Sequence, residues 1–350
     1  MVRPTGVESG MSPYHRKAGP RRSRGSAGGV TAIIAAVVLS SALVTPILDA
    51  QSTNPLRGKR LYVDPASPAR KQADAWQRSR PADAAALRRI AEQPQAIWLG
   101  DWNSDIRREA DAIVRRTEAA AAIPVLVAYN IPYRDCGSYS RGGSRGGDAY
   151  RRWIIDLARG LDSRASVVIL EPDATAGVDC LPARLRDERF VLLQEAVDVL
   201  EKAGAAVYVD AGHAKWRSAA DMAARLRKAG IGAATGFALN VSNYHSTGVN
   251  ITYGNQLSRL VGSKHYVIDT SRNGRSNTAQ NEWCNVRNQA LGYRPTTNTG
   301  EPLVDAYLWV KRPGESDGTC NGGPRAGEWW ADYAVELSKA AEVLGSLVPR

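Results

Sequence analysis

From Leu61 onwards, short apolar runs alternate with longer amphipathic stretches. Runs rich in β-branched and aromatic residues predict strands, and apolar residues at helical spacing between them predict helices. The predicted strands lie around 61–63, 96–99, 124–128, 167–171, 206–210, 235–240, 265–269 and 304–310. The predicted helices lie near 83–92, 105–121, 148–160, 184–203, 217–229, 254–262 and 327–344. This order predicts an α/β fold of parallel strands joined by right-handed crossovers, either a barrel or a doubly wound sheet.

Four of the apolar runs lead into an acidic residue. They are YNIPYRDCG at 129–137, VVILEPDA at 167–174, AVYVDAGH at 206–213 and AYLWVKRPGESDG at 306–318. In α/β barrels and open parallel sheets, the active site lies at the carboxyl ends of the strands. We therefore expect Asp135, Asp173, Asp210 and Asp317 to share one cleft. A single strand-end Asp is more often a cap or a loop residue, but four without a competing motif favour catalysis.

These segments resemble the signature stretches of family 6 glycoside hydrolases, which are cellulases that invert the configuration at the anomeric carbon. The matching stretches are Tyr129–Cys136, Ile169–Asp173, Asp210–His213, Asn240–Tyr244, Asp269–Gly274, Trp283–Asn285 and Trp309–Gly318. The resemblance spans roughly residues 55 to 345. It implies that family's distorted barrel, with fewer parallel strands than the usual eight, as a single catalytic domain over residues 51–350.

Asp173 is the best candidate for a general acid. Inverting hydrolysis of a glycosidic bond needs a carboxylic acid and a water-activating base on opposite faces of the sugar, roughly 6.5–9.5 Å apart. Asp173 follows the apolar run VVIL and has Glu171 and Asp135 as acidic neighbours, so burial and like charge should raise its pKa. The family resemblance implies the same role, and makes Asp135 the residue that assists protonation of Asp173 and connects to the water chain.

Two readings of the base stay open. The resemblance nominates Asp317, although a water-relayed route through the Asp135 position is also argued for that family. The alternative, of equal weight, is that Asp317 is a loop carboxylate paired with Lys311 or Arg272. We expect Ser140 to hold the attacking water and Tyr129 to press on the sugar ring.

The aromatic composition indicates sugar binding, because the chain has nine Trp but only two Phe. Trp faces stack on the apolar faces of pyranose rings, and the indole N–H can donate to a hydroxyl. Trp98, Trp216 and Trp283 stand at positions that line glucose subsites in the family, with core packing as the alternative for each. The other substrate-binding candidates are Tyr129, Ser140, Asp210, His213, Asn243, Lys311 and Glu315. Trp153, Trp329 and Trp330 lie in predicted helices and are assigned to packing.

The net charge of +11 does not indicate nucleic-acid binding. Residues 1–50 hold six basic and two acidic residues, and elsewhere basic residues are interleaved with acidic ones along predicted helix faces. The four His residues lack zinc-ligand spacing and no Cys-x-x-Cys pair occurs, so we expect no metal and no cofactor. The glycines of 142–147 lack the Gly-Lys-Ser/Thr signature of a phosphate-binding loop.

Residues 1–50 are expected to be a targeting segment. A basic stretch precedes the uncharged run 30–48, which suits a signal peptide cleaved near Ala50 or a membrane anchor, and both forms stay open. Four cysteines agree with export and two disulfides: Cys136, Cys180, Cys284 and Cys320. The sequence alone allows three pairings, and the family resemblance implies Cys136–Cys180 and Cys284–Cys320.

The predicted function is inverting hydrolysis of internal β-1,4-glucosidic bonds in cellulose or a related β-glucan. The expected partner is this polysaccharide, without nucleic acid or an obligate protein partner, and the chain is expected to be a secreted or anchored monomer. One alternative is a cellobiohydrolase, for which the loops at 133–147 and 271–303 look short. The other is a glucan-binding protein without catalysis, which the complete set of carboxylates disfavours.

Overall fold

The fold is a curled sheet of parallel strands with helices packed outside it. The computed structural model describes residues 54–275 and 282–344. Within these ranges seven strands lie in chain order, and each pairs with the next in parallel. They are β1 (Ile97–Leu99), β2 (Val125–Ala128), β3 (Ser166–Leu170), β4 (Ala205–Asp210), β5 (Gly236–Leu239), β6 (His265–Asp269) and β7 (Val304–Leu308). The distorted barrel of parallel strands is therefore confirmed.

The helices follow from the amphipathic spacing and from start signals in the sequence. They are α1 (Pro68–Trp76), α2 (Pro81–Ala91), α3 (Ile106–Ala119), α4 (Gly147–Leu161), α5 (Ala183–Lys202), α6 (Ala219–Lys228), α7 (Thr247–Leu260) and α8 (Ala331–Leu344). The side chains of Ser67, Asp105, Ser218 and Ser246 cap α1, α3, α6 and α7 by accepting a backbone N–H of the first turn. Proline opens α1 and α2, where its missing N–H leaves no helical bond unmade.

Both faces of the sheet are buried, so successive residues of a strand pack into different cores. In β2, Val125 and Val127 belong to the cluster inside the barrel, together with Ile169. Leu126 and Ala128 belong to the outer cluster between the sheet and the helices. A third cluster joins α1, α2 and α8 around a buried tryptophan. This alternation determines which strand residues face the inside of the barrel and which face the helices.

The edge strands β1 and β7 approach each other and nearly close the barrel. The backbone N–H of Ala96 donates to the carbonyl of Trp309 at 3.0 Å. The indole Nε1 of Trp98 donates to the carbonyl of Val310 at 2.8 Å. These two bonds hold the first and last strands together directly below the predicted site.

The predicted strand at 61–63 is wrong. Leu61 forms only an isolated bridge with Ile123, because a turn between Asp64 and Ser67 ends the extended run at once. The sequence reading also missed α1, in which only Ala69 and Ala73 are buried, so its apolar periodicity is weak.

The sequence predicted that the last helix begins at residue 327, but it begins at Ala331. Residues before it pair with the loop after β7 instead, since Trp329 bridges Glu315 and the N–H of Trp330 donates to Gly314 at 2.7 Å. Trp329 and Trp330 nevertheless pack against the third cluster, which agrees with the packing role predicted for them.

Two disulfides fasten the loops at the carboxyl rim, as the family resemblance implied. Cys136–Cys180 joins the loop after β2 to the loop after β3, with Cα atoms 6.0 Å apart. Cys284–Cys320 joins the segment before β7 to the loop after it, with Cα atoms 6.2 Å apart. Both separations are normal for a disulfide.

Reduction of the protein should lower its thermal stability, because the bonds close segments of 44 and 36 residues. Closure of loops of this length commonly contributes about 2–4 kcal/mol per bond to the free energy of unfolding. Thermal unfolding with and without reductant tests this, with the Cys284→Ser/Cys320→Ser variant as a single-bond control. Peptide mapping without reduction that recovers Cys136 joined to Cys284 would contradict the pairing.

Candidate active site

A cavity of about 1070 Å³ opens at the carboxyl ends of the strands. Twelve of the thirteen predicted site residues line it: Trp98, Tyr129, Asp135, Ser140, Asp173, His213, Trp216, Asn243, Trp283, Lys311, Glu315 and Asp317. The thirteenth, Asp210, is buried beneath Asp173 and accepts its backbone N–H. The residues predicted from their positions after the strands therefore lie together at one site.

Asp173 stands on an unusual turn just after β3. Glu171 and Asp173 have φ angles of 50° and 68°, in the left-handed region that non-glycine residues rarely adopt. The buried carboxylate of Glu171 accepts the N–H groups of Asn130 at 3.0 Å and Ile131 at 3.1 Å, so it ties this turn to the loop after β2. The surrounding bonds therefore hold Asp173 in a conformation that an isolated chain would avoid.

Burial raises the pKa of Asp173 well above its usual range, and the negative charges of Asp210, Asp135 and Asp317 raise it further. Burial and the charge of Asp135 were predicted from the sequence, whereas Asp210 and Asp317 act in place of the predicted neighbour Glu171. The side chain is thus suited to carry a proton near neutral pH.

Asp210 supports Asp173 from below. Its Oδ1 accepts the backbone N–H of Asp173 at 3.0 Å and that of Gly212 at 3.1 Å. Its Oδ2 is buried and has no hydrogen-bond partner among the described residues. Burial raises the pKa of Asp210 to about 7, so this carboxyl also binds a proton more readily than an exposed Asp.

Asp135 lies in the loop after β2, with a φ of 54°. Its Oδ2 accepts the backbone N–H of Ser140 at 2.6 Å. Burial raises the pKa of Asp135, although this bond and the charge of Arg134 act against the increase. The water-holding role of Ser140 stays a prediction, since the contact seen here is to Asp135.

Asp317 has a different environment, because it is buried among positive charges. Its Oδ2 accepts from Arg272 Nη1 at 2.7 Å and from the Asn285 N–H at 2.8 Å, and its Oδ1 lies 3.2 Å from Lys311 Nζ. Burial raises the pKa of Asp317, but the charges of Arg272 and Lys311 outweigh burial and lower it overall. The ion pairing that the sequence left open is therefore present, and the role of Asp317 as base stays a prediction.

The aromatic candidates form walls of the cavity. Trp98 meets Tyr129 edge-on, with ring centroids 5.1 Å apart. Trp216 packs beside His213 at 5.5 Å, and the half-exposed ring of Trp283 lies 6.0 Å from Tyr139. Trp98 and Trp216 are partly buried and also pack against the hydrophobic core, whereas Trp283 is exposed. The role of all three as sugar platforms stays a prediction.

The polar candidates are held by the loops themselves. Asn243 Nδ2 donates to the Val241 carbonyl at 2.9 Å, and Glu315 pairs with Arg312 at 2.6 Å. Burial lowers the pKa of His213 to about 3, and the neighbouring His245 and Lys215 add to the decrease. His213 is therefore neutral at ordinary pH and suited to hydrogen bonding rather than to proton transfer.

Comparison with known proteins places this chain among the cellulases. The family model "Glycosyl hydrolases family 6" matches residues 56–341. The chain belongs to glycosyl hydrolase family 6. Endoglucanase A of Cellulomonas fimi is 46% identical over 80% of this chain, and the match covers 61% of that relative. Endoglucanase 1 of Streptomyces halstedii is 38% identical over 87% of this chain and 96% of the relative.

Solved structures agree with this assignment. The endoglucanase Cel6 from Mycobacterium tuberculosis, in complex with methyl-cellobiosyl-4-deoxy-4-thio-β-D-cellobioside, matches with a TM-score of 0.79 and 48% identity. That match covers 83% of this chain and 100% of the solved chain. Fungal cellobiohydrolases also match in sequence, at 30–31% identity. This family 6 chain is therefore a glycoside hydrolase.

Sequence reasoning gave no role to Arg134, which organises the loop after β2. Its buried guanidinium donates to Asp101 at 2.9 Å, to the Tyr129 carbonyl at 2.7 Å and to the Ser140 carbonyl at 2.8 Å. A buried Arg is unusual unless it is paired, but its burial cannot be read from a polar loop sequence. Arg134 thus keeps Ser140 near Asp135.

Asp269, which lies in one of the stretches that resemble the family, joins three neighbouring loops of this family 6 chain. The buried carboxylate accepts backbone N–H groups from Ser242 and Lys311 at 3.0 Å and from Ser271 at 2.9 Å. Its signal in the sequence is the one used for the other sites, an apolar run that ends on Asp.

Tyr139 is a further residue that sequence reasoning missed. Its ring is 48% exposed, lines the cavity and lies against Gly318, where a Cβ atom would overlap it. The loop after β2 and the loop after β7 therefore touch each other at this point.

The two disulfides are typical of proteins that fold outside the cytosol. None of the helices in the described ranges has the length and apolar content needed to cross a bilayer. The predicted signal or anchor at 30–48 lies outside the described residues.

Asp210→Asn should remove a pH-dependent part of the stability. A carboxyl whose pKa rises from 3.8 to about 7 on folding stabilises the fold at low pH, and this contribution is lost as the pH rises through about 7. The variant should therefore gain Tm relative to wild type between about pH 4 and about pH 8, since Asn does not titrate. Thermal unfolding at both pH values measures the change. An identical Tm difference at the two pH values would contradict the raised pKa.

Proposed function

We propose that this chain is an endoglucanase that hydrolyses internal β-1,4-glucosidic bonds with inversion. The observation that carries the proposal is Asp173, a carboxyl of raised pKa at the floor of a cleft walled by aromatic rings. The matches to endoglucanases at 38–46% identity support the substrate class.

Asp173 is the proposed general acid, which protonates the glycosidic oxygen as the bond to the anomeric carbon breaks. Asp210 positions its backbone, and both Asp210 and Asp135 hold negative charge near it when ionised. After the proton is transferred, that charge favours reprotonation of Asp173 from solvent and prepares the next cycle.

The ion pairs of Asp317 support the route in which water relays the proton to Asp135 over the route in which Asp317 itself is the base. The charges of Arg272 and Lys311 lower the pKa of Asp317 and weaken it as a proton acceptor. At Asp135 burial prevails over the charge of Arg134 and raises the pKa, which makes this carboxylate the stronger base of the two. We propose that the attacking water passes its proton towards Asp135, and that Asp317 mainly fixes Lys311 and the loop after β7.

The walls of the cleft supply the substrate contacts. Trp98, Trp216 and Trp283 are proposed to stack on glucosyl rings. The polar groups of Asn243, His213, Lys311 and Glu315 are proposed to bind their hydroxyls. Tyr129 lies edge-on to Trp98, where it can press on the ring that is being cleaved.

A cellobiohydrolase is the second candidate, and the contact between Tyr139 and Gly318 favours it. Touching loops at the border of the cavity restrict sideways entry of a polymer, which suits an enzyme that threads a chain end. The higher identity to endoglucanases and the modest loop lengths favour internal cleavage, in which this contact opens to admit the polymer.

We further propose that residues 1–50 direct export and that residues 51–350 act outside the cell as a monomer. The basic and apolar pattern of the amino terminus and the two disulfides support this location.

Asp173→Asn should reduce kcat on unactivated cello-oligosaccharides by about 10²–10⁴-fold, the usual contribution of general acid catalysis. The fold should be retained, because Asn keeps the shape of the side chain. Asp74→Asn, at an exposed aspartate of α1, is the matched control. Release of reducing ends and circular dichroism measure the two effects, and activity within about threefold of wild type would exclude Asp173 as the acid.

Endoglucanase action should lower the viscosity of carboxymethyl cellulose rapidly relative to the reducing ends released. Each internal cut halves a long chain, whereas removal of cellobiose from an end barely shortens it. Anomeric NMR of the products from cello-oligosaccharides should show inversion. Viscosity that stays high while cellobiose accumulates would favour the cellobiohydrolase instead.

A further inference from the structure

Among the described residues that line the cavity, Trp102 is the most exposed tryptophan. Its side chain is 54% exposed, and it follows β1 by three residues. A single exposed apolar side chain is ordinary on a protein surface. Trp102 differs because its exposed ring also lines the cavity, where its apolar face is available to a bound sugar.

The ring of Trp102 is held in one place before any ligand binds. Gly100 and Asn103 form a turn in which the Gly100 N–H donates to Asn103 Oδ1 at 2.9 Å and the Asn103 N–H donates to the Gly100 carbonyl at 3.0 Å. A Cβ atom at Gly100 would lie 2.5 Å from the indole, so the missing side chain leaves the space that one edge of the ring occupies. Such a preset ring loses little conformational entropy on binding.

Trp102 continues a line of ring contacts that starts at the predicted sugar platform Trp98. Trp98 meets Tyr129 with ring centroids 5.1 Å apart, and the Arg134 guanidinium lies 4.7 Å from the Tyr129 ring. The same guanidinium lies 5.2 Å from the Trp102 ring, and its pairing with Asp101 fixes it there. Trp98 and Trp102 are thus two ends of one rigid wall.

We infer that Trp102 is an additional glucosyl-binding platform, one that extends the cleft beyond Trp98 on the side away from Trp216. Its ligand is a β-linked glucose unit whose apolar face stacks on the indole. The inference rests on the proposed glucan substrate and deepens it, because the extra platform would favour long chains over short oligosaccharides.

The position in the fold agrees with this direction. Trp102 follows β1, the acid Asp173 follows β3 and Trp216 follows β4, so Trp102 and Trp216 lie on opposite sides of Asp173 in strand order. Substrates too short to reach past Trp98 would leave Trp102 uncovered. The contribution of Trp102 should then depend on the length of the oligosaccharide.

The test compares kcat/KM of wild type, Trp102→Ala and Tyr133→Ala on cellotetraose, cellopentaose and cellohexaose. Tyr133 is the matched control, because its ring is 56% exposed at the same rim but does not line the cavity. Trp102→Ala should lose roughly three- to tenfold more kcat/KM on cellohexaose than on cellotetraose, while Tyr133→Ala loses the same at every length. Trp102→Phe should restore most of the difference.

A second measurement separates this inference from the proposed function. Calorimetric binding of cellohexaose is compared between Asp173→Asn and Asp173→Asn/Trp102→Ala. If wild type cleaves no glucan but the double variant binds cellohexaose more weakly, the proposed activity fails and the platform stands. If Trp102→Ala loses nothing, or loses equally at all lengths and in Tm, the platform is excluded.

Discussion

The site depends on one repeated interaction, a buried carboxylate at the end of a strand that accepts backbone N–H groups from a neighbouring loop. Glu171 after β3 binds the loop after β2, Asp210 at the end of β4 binds the backbone of Asp173, and Asp269 at the end of β6 binds the loops after β5 and β7. Loops without regular structure need such partners, because buried N–H groups must be paired. The three carboxylates therefore convert a row of separate strand ends into one rigid rim.

The same burial sets the protonation of the rim. Burial raises the pKa of Glu171 and Asp210 to about 7 each, and that of Asp173 well above its usual range. Two basic side chains reverse this effect at Asp317. The cleft thus contains a proton-rich side around β3 and β4 and an ionised side around β7, which is the asymmetry that acid catalysis on one face of a sugar requires.

The sequence predicted the seven strands and the four strand-end aspartates because both depend on local patterns, namely apolar runs and the residues that end them. It failed where the structure depends on distant contacts. Leu61 pairs with a single residue, Ile123, and is not part of a strand. Helix α1 has too few buried residues to show a helical periodicity of apolar positions. Helix α8 begins later than predicted because the residues before it pair with the loop after β7. Arg134 was missed for the same reason, because the three loop groups that bind it are assembled only on folding.

The contact between Tyr139 and Gly318 gives residue 318 the role of a spacer. A Cβ atom at 318 would lie 2.4–2.8 Å from atoms of Tyr139, and the φ of 154° there disfavours any side chain, so glycine is what lets the two loops touch. Each loop is fastened by its own disulfide, so a larger residue would act on the gap between the loops rather than on the carboxylates beneath. Related enzymes could pass between tightly and loosely covered clefts by this route without any change to their catalytic residues.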